Sequence, residues 1–93
     1  MKKSELANLP NLGKTLSEKL NLVGIESAED LIAAGSENAF IKLATVDQSA
    51  CINMLYALEG AVQGIRWHDL DKLRKTELNE FFKIVKTKQS PAK

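Results

Sequence analysis

Histidine, cysteine and aromatic side chains are scarce in this chain, and each scarcity removes a class of function. There is one histidine, His68, and one cysteine, Cys51. A zinc site needs several such ligands at short spacing, so no metal-ligand motif is present. A lone cysteine cannot close an internal disulfide, which fits a reducing compartment. Cys51 lies on the most apolar stretch, where a thiol has no activator, and core packing is expected for it. His68 has Asp69 beside it, but sequence adjacency is not the geometry of a catalytic base and its orienter. A solvent-facing loop position or a helix-cap contact is expected instead. No Walker-type or dinucleotide-binding glycine pattern occurs. The expectation is therefore a protein that is not an enzyme and carries no cofactor. Apolar runs are too short to span a membrane and no cleavable signal is visible, so a cytoplasmic address is expected.

The chain has 93 residues, 44% of them hydrophobic and 27% charged, the composition of one ordinary globular domain. Such a chain buries roughly 60–65% of its unfolded surface, enough for one core without staples. The formal net charge is +1, which does not suggest strong, nonspecific nucleic-acid binding. The charge is unevenly spread. Residues 21–47 carry Glu26, Glu29, Asp30, Glu37 and Asp47 against Lys42, whereas both ends of the chain are mildly basic.

The most apolar segment is Ser49–Trp67, SACINMLYALEGAVQGIRW. Ser49, Asn53, Tyr56, Gly60 and Gln63 recur at a three-and-four spacing, one narrow polar stripe on a helix. Leu55, Leu58, Ala61 and Val62 cover much of the rest, so the spacing predicts a central core helix near 50–62. Glu59 falls among apolar neighbours. If buried it needs a partner, and the Gly64–Trp67 connector offers Arg66, the Trp67 indole and backbone N–H groups. Glu59 is expected to be a structural link to that connector, and Trp67 a core plug.

Taken in order, the chain reads as five to six short helices with no strand, an all-α domain. Ser4 caps a short opening helix that Pro10 ends. A second helix runs from about Lys14 to Val23, with Leu16, Leu20 and Val23 inward, and Gly24 stops it. Ser27 and Asp30 form a capping-box-like start for Ala28–Ala34, which Gly35 interrupts. Ser36 is expected to cap Glu37–Thr45, and Asp47 or Ser49 to start the central helix. Asp69 is a candidate cap for a turn at Leu70–Leu73, and the last helix runs to about Lys86. Asp71 and Lys75 are spaced as a favourable i,i+4 pair if Leu70–Lys86 is continuous. Residues 1–88 read as a single domain and 89–93 as a disordered tail.

The sharpest functional signal is Leu9-Pro10-Asn11-Leu12-Gly13-Lys14 between two helices. Asn11 and Gly13 both tolerate the left-handed conformation a tight turn needs. In such a helix–hairpin–helix, successive backbone N–H groups and the following helix N-terminus point outward. They can hold a phosphate without side-chain charge. Asn11, Leu12, Gly13, Lys14 and Thr15 are the candidate nucleic-acid-binding residues, and a purely structural αα-hairpin is the alternative.

Two resemblances bear on the hairpin and its setting. Asn53-Met54-Leu55-Tyr56-Ala57-Leu58-Glu59-Gly60-Ala61, Gly64-Ile65-Arg66-Trp67-His68-Asp69-Leu70 and the opening LPNLGKTLSEKLNLVGIESAEDLIAAGSENAFIKL resemble the C-terminal domain of the TfoX (Sxy) family over roughly residues 5–85. The resemblance implies an all-α bundle related to helix–hairpin–helix and SAM-like folds. Full-length members are competence regulators that also carry an N-terminal domain; here the chain begins close to the hairpin, so a stand-alone module is expected. Locally, Pro10–Lys14 is similar to the hairpin in the C-terminal domain of the α chain of RNA polymerase, which binds DNA. Gly13 matches a DNA-contacting glycine there, whereas Thr15 and Leu16 depart from its polar contacts, and Asn11 replaces the first glycine of the common Gly-hydrophobic-Gly hairpin. The resulting expectation is a small regulatory binding module that meets duplex DNA or a DNA-bound protein such as RNA polymerase, as a monomer or weak homodimer. Ile84, off the apolar face of the last helix, is the candidate dimer contact. A protein–protein module without nucleic-acid affinity is the alternative.

Overall fold

The structure is a computed structural model that describes residues 6, 9 and 11–89. Among them lie four α-helices and one 3-10 turn, with no strand: α1 Lys14–Leu22, α2 Ala28–Val46, α3 Ile52–Gln63, the 3-10 turn Trp67–Asp69, and α4 Lys72–Gln89. The all-α expectation holds, with fewer separate helices than the five to six read from sequence. The expected opening helix and Pro10 lie outside the described residues, save that Leu6 is buried and its carbonyl accepts from Leu9 N–H at 2.9 Å.

The helix ends follow local chemistry. Gly24 closes α1: Ile25 N–H reaches back to Leu20 C=O at 3.0 Å and Gly24 N–H to Asn21 C=O at 3.2 Å, the paired bonds of a Schellman motif. Ser27 Oγ accepts from Asp30 N–H at 3.1 Å and starts α2, while Asp30 accepts from Glu26 N–H at 3.1 Å. Gly35 breaks α2 as expected, with φ 84° and ψ 159° inside an otherwise continuous helical run. Side-chain-bearing residues almost never take that conformation.

Three expected caps are replaced. No cap bond from Ser36 to the second half of α2 is seen; its hydroxyl donates to the buried Glu59 carboxylate, a charge-assisted bond that fixes its orientation. Neither Asp47 nor Ser49 starts α3, whose N-cap is Cys51. Asp47 instead folds the preceding loop by accepting from Ser49 N–H at 3.0 Å. At the last helix Asp71, not Asp69, is the cap, accepting from Leu73 N–H at 3.0 Å. That use of its carboxylate replaces the pairing expected with Lys75. α4 passes unbroken through Thr76, whose hydroxyl donates back to Lys72 C=O at 3.1 Å, and it extends three residues past Lys86.

The core forms where α3 meets α2 and α4. Leu55, Leu58 and Ala61 of α3 meet Phe40 and Leu43 of α2, Leu78 of α4 and Leu20 of α1. Each fully buried Leu or Phe contributes roughly 1.5–3 kcal/mol through removal from water. Phe40 also meets Phe82 at 5.7 Å between ring centroids, tilted by 56°. Gly60, assigned to the polar stripe of α3 by its spacing, is buried. The chain before α1 and the connector after α3 both cross it.

Candidate functional site

The hairpin is held from behind by one side chain. Asn11 has φ 71°, the left-handed turn expected of it. Its amide then spans between elements: Nδ2 donates to Ile65 C=O at 2.9 Å and to Ala57 C=O at 3.5 Å, and Oδ1 accepts from Trp67 N–H at 3.0 Å. Both halves of the amide are used, and two groups of the connector are satisfied. Gly60 makes the room. A Cβ there would meet the Asn11 amide, Ile65 O at 2.8 Å and Trp67 N at 3.1 Å.

The five hairpin residues divide accordingly. Asn11 is half-buried and Leu12 is 5% exposed within the core. Gly13, Lys14 and Thr15 are exposed. Gly13 is the N-cap of α1 at φ −97°, ψ −177°, an extended conformation open to any residue, and no atom lies within 4 Å of where its Cβ would be. No side chain caps this helix and no acidic residue lies in its first turn. The first main-chain bond of the helix is Ser17 N–H to Gly13 C=O at 3.0 Å. The N–H groups of Gly13–Leu16 find no main-chain acceptor among the described residues, at the positive end of the helix dipole. Such an end can hold an anion.

Beside the anchor lies an aromatic stack. Trp67 is half-buried, lying 5.9 Å from Tyr56 and 4.1 Å from His68 between ring centroids, with Lys75 Nζ 5.6 Å from its own centroid. Trp67 is thus a half-covered wall rather than the expected core plug, and His68 is exposed on it.

The Glu59 expectation is corrected. Its partners are not on the connector, where Trp67 N–H donates to Asn11 and the Gly64 and Ile65 N–H groups donate to Ala61 and Gly60 C=O. Ser36 Oγ donates to it at 2.5 Å, Gln63 Nε2 at 2.5 Å and Arg74 at 3.1 Å. Burial pushes the Glu59 carboxyl upward, but the bonds from Arg74, Ser36 and Gln63 outweigh that and hold its pKa below the usual value. The same bond, with help from Glu77 and Glu37, raises the Arg74 pKa. Glu59, Ser36, Glu37 and Arg74 line a cleft of about 300 Å³ with Ala34, Gly35 and Asn38. Glu59 is its resident anion. Among the described residues no group of three or more His, Cys, Asp or Glu side chains could hold a metal ion.

A third link is between Lys19 and Asp47 at 2.6 Å, tying α1 to the end of α2. The Lys19 bond, reinforced by Ser49, lowers the Asp47 pKa to about 2.

Sequence reasoning found the left-handed turn at Asn11 but missed the Asn11 clamp and the Arg74 partner. Gly60 carried a usable signal, since a glycine inside a strongly apolar helix marks a close approach. Arg74, fifteen residues from Glu59, carried none.

The fold defines a small all-helical domain with the exposed start of α1 held beside the Asn11 turn. Residues 2–82 match the family model of the TfoX C-terminal domain, and the chain belongs to that family. It is similar to a crystal structure of an uncharacterized protein from Listeria monocytogenes in a triclinic form, 46% identical with a TM-score of 0.86, covering 88% of this chain and 93% of that one. It is also similar to a tetragonal form of a protein of unknown function from the same organism, 47% identical with a TM-score of 0.83, covering 85% and 98%. No curated protein matches the chain. Among the described residues no helix is long and apolar enough to cross a membrane.

Proposed function

We propose that this domain is a regulatory binding module rather than an enzyme, and that its hairpin holds a phosphate of duplex DNA through the main-chain amides at Gly13–Thr15. The observation that carries the reading is the uncapped, exposed start of α1, fixed from behind by the Asn11 clamp. A preordered row of N–H groups loses little entropy on binding an anion. Lys14 adds a mobile positive charge at the same place, while Asn11 and Leu12 act as anchors and do not touch the partner.

Gly13→Asp tests this directly. The site is sterically open and its backbone is ordinary, and aspartate is a favoured N-cap. The variant keeps the fold and gains up to about 1 kcal/mol from capping and the helix dipole. Its carboxylate occupies the amides and repels phosphate. With wild type, backbone amide shifts on titration with short duplex DNA are expected at Leu12–Thr15, fading as salt rises; with Gly13→Asp they vanish. Wild-type protein that shows no shift at any DNA ratio would falsify the reading and favour a protein partner instead.

A further inference from the structure

α4 sorts its charges by face. At 100° per residue, Lys72, Lys75, Lys83 and Lys86 fall within an arc of about 80°, with Asn79 between them and Thr76 at its edge. Glu77 and Glu80 lie on another face, together with the exposed Leu73 and Ile84. Leu78, Phe81, Phe82 and Val85 form the face turned to the core. The lysine stripe is about 21 Å long, fourteen rises of 1.5 Å from Lys72 to Lys86. Lys72 and Lys83 are exposed. Lys72, Lys75 and Lys83 form no ion pair with any described residue, and Lys86 Nζ reaches Gln48 C=O at 3.0 Å.

The stripe begins next to the hairpin. Lys75 lies over Trp67, whose N–H is bound by Asn11, two residues before Gly13. We infer that the lysine face of α4 continues the hairpin surface and tracks the phosphate backbone of duplex DNA. This rests on the hairpin reading and extends it from one phosphate to a line of them. A chain of net charge +1 can then bind a polyanion, because its positive charge is concentrated on one stripe while the carboxylates of α4 point elsewhere. An anionic membrane fits less well, since the exposed Leu73 and Ile84 share their face with glutamates and not with the lysines.

The test is the salt dependence of binding to a labelled duplex of about 20 base pairs, from about 50 to 200 mM salt. Each lost phosphate contact lowers the slope of log affinity against log salt by about 0.9. Lys72→Gln, Lys75→Gln and Lys83→Gln together are expected to lower it by about 2.7, with helicity and melting monitored as controls. Lys83→Gln alone should lower it by about 0.9, whereas Lys42→Gln on α2, of equal charge change, should leave it unaltered. A triple variant with the wild-type slope overturns this inference; if Gly13→Asp still abolishes binding, the hairpin reading survives alone. Equal effects of Lys42→Gln and Lys83→Gln also overturn it, because net charge would then be the cause. Wild-type protein that ignores duplex and binds anionic phospholipid vesicles overturns both readings.

Discussion

The cleft at the Gly35 kink and the hairpin at Gly13 both combine a helix start with polar groups, yet they have opposite fates. At the kink the anion is built in. Glu59 supplies the negative charge, and Ser36, Gln63 and Arg74 all bind to it. At the start of α1 no side chain among the described residues answers the amides: there is no side-chain cap and no acidic first turn. A charged cluster whose members satisfy one another is a fastener. A preordered set of donors left to solvent is a place where something else can bind.

The contrast between the two places breaks most forcefully at the fastener. Glu59→Ala leaves Arg74 and Ser36 without their shared acceptor. Fully buried pairs lose about 3–5 kcal/mol when one partner goes; Arg74 reaches water, so about 2–3 kcal/mol is expected. Urea unfolding measures it, and DNA affinity extrapolated to the folded state should not change. If affinity falls while stability holds, the cleft is itself a binding site.

Gly60→Ala attacks the hairpin from behind. The new methyl must displace the Asn11 amide or push the connector away, at a cost of about 1–3 kcal/mol. Amide resonances of residues 11–15 and 65–67 should move together. Shifts confined to the connector would show that Asn11 does not couple the two segments.

The smallest effect is expected at the Lys19–Asp47 link. Its lowered folded pKa of about 2, against an ordinary 3.8, makes the sign definite. The link contributes its full stability above about pH 4 and loses it as pH falls towards 2. Asp47→Asn should be less stable than wild type at neutral pH, with the gap closing in acid. A gap that is constant from pH 7 down to about 2.5 would sink this assignment.

Much of the scaffold was legible because its causes are local. Apolar spacing placed α1, α3 and α4, Gly24 marked the end of α1 and Gly35 the break within α2, and the turn at Asn11 followed from a residue that accepts positive φ. The caps were less legible, since Ser36 and Asp47 had several possible partners and the tertiary structure chose among them. Ser36 went to Glu59 and Asp47 to Lys19 and Ser49. The continuity of α4 through Thr76 was likewise open until the helix was seen packed.

The all-α class, the apolar central helix and the left-handed turn at Asn11 follow from the amino-acid sequence alone. Each depends on periodicity or on backbone freedom within a few residues. Which face of that turn is free depends on contacts distant in the chain. Asn11 could turn its amide outward or inward, and the choice depended on unpaired groups at Ile65 and Trp67, more than fifty residues away, and on the missing Cβ of Gly60. The lysines of α4 were visible as residues, but their closeness to the hairpin came from the Trp67 contact. Both are cross-chain pairings, fixed when buried polar groups must find partners.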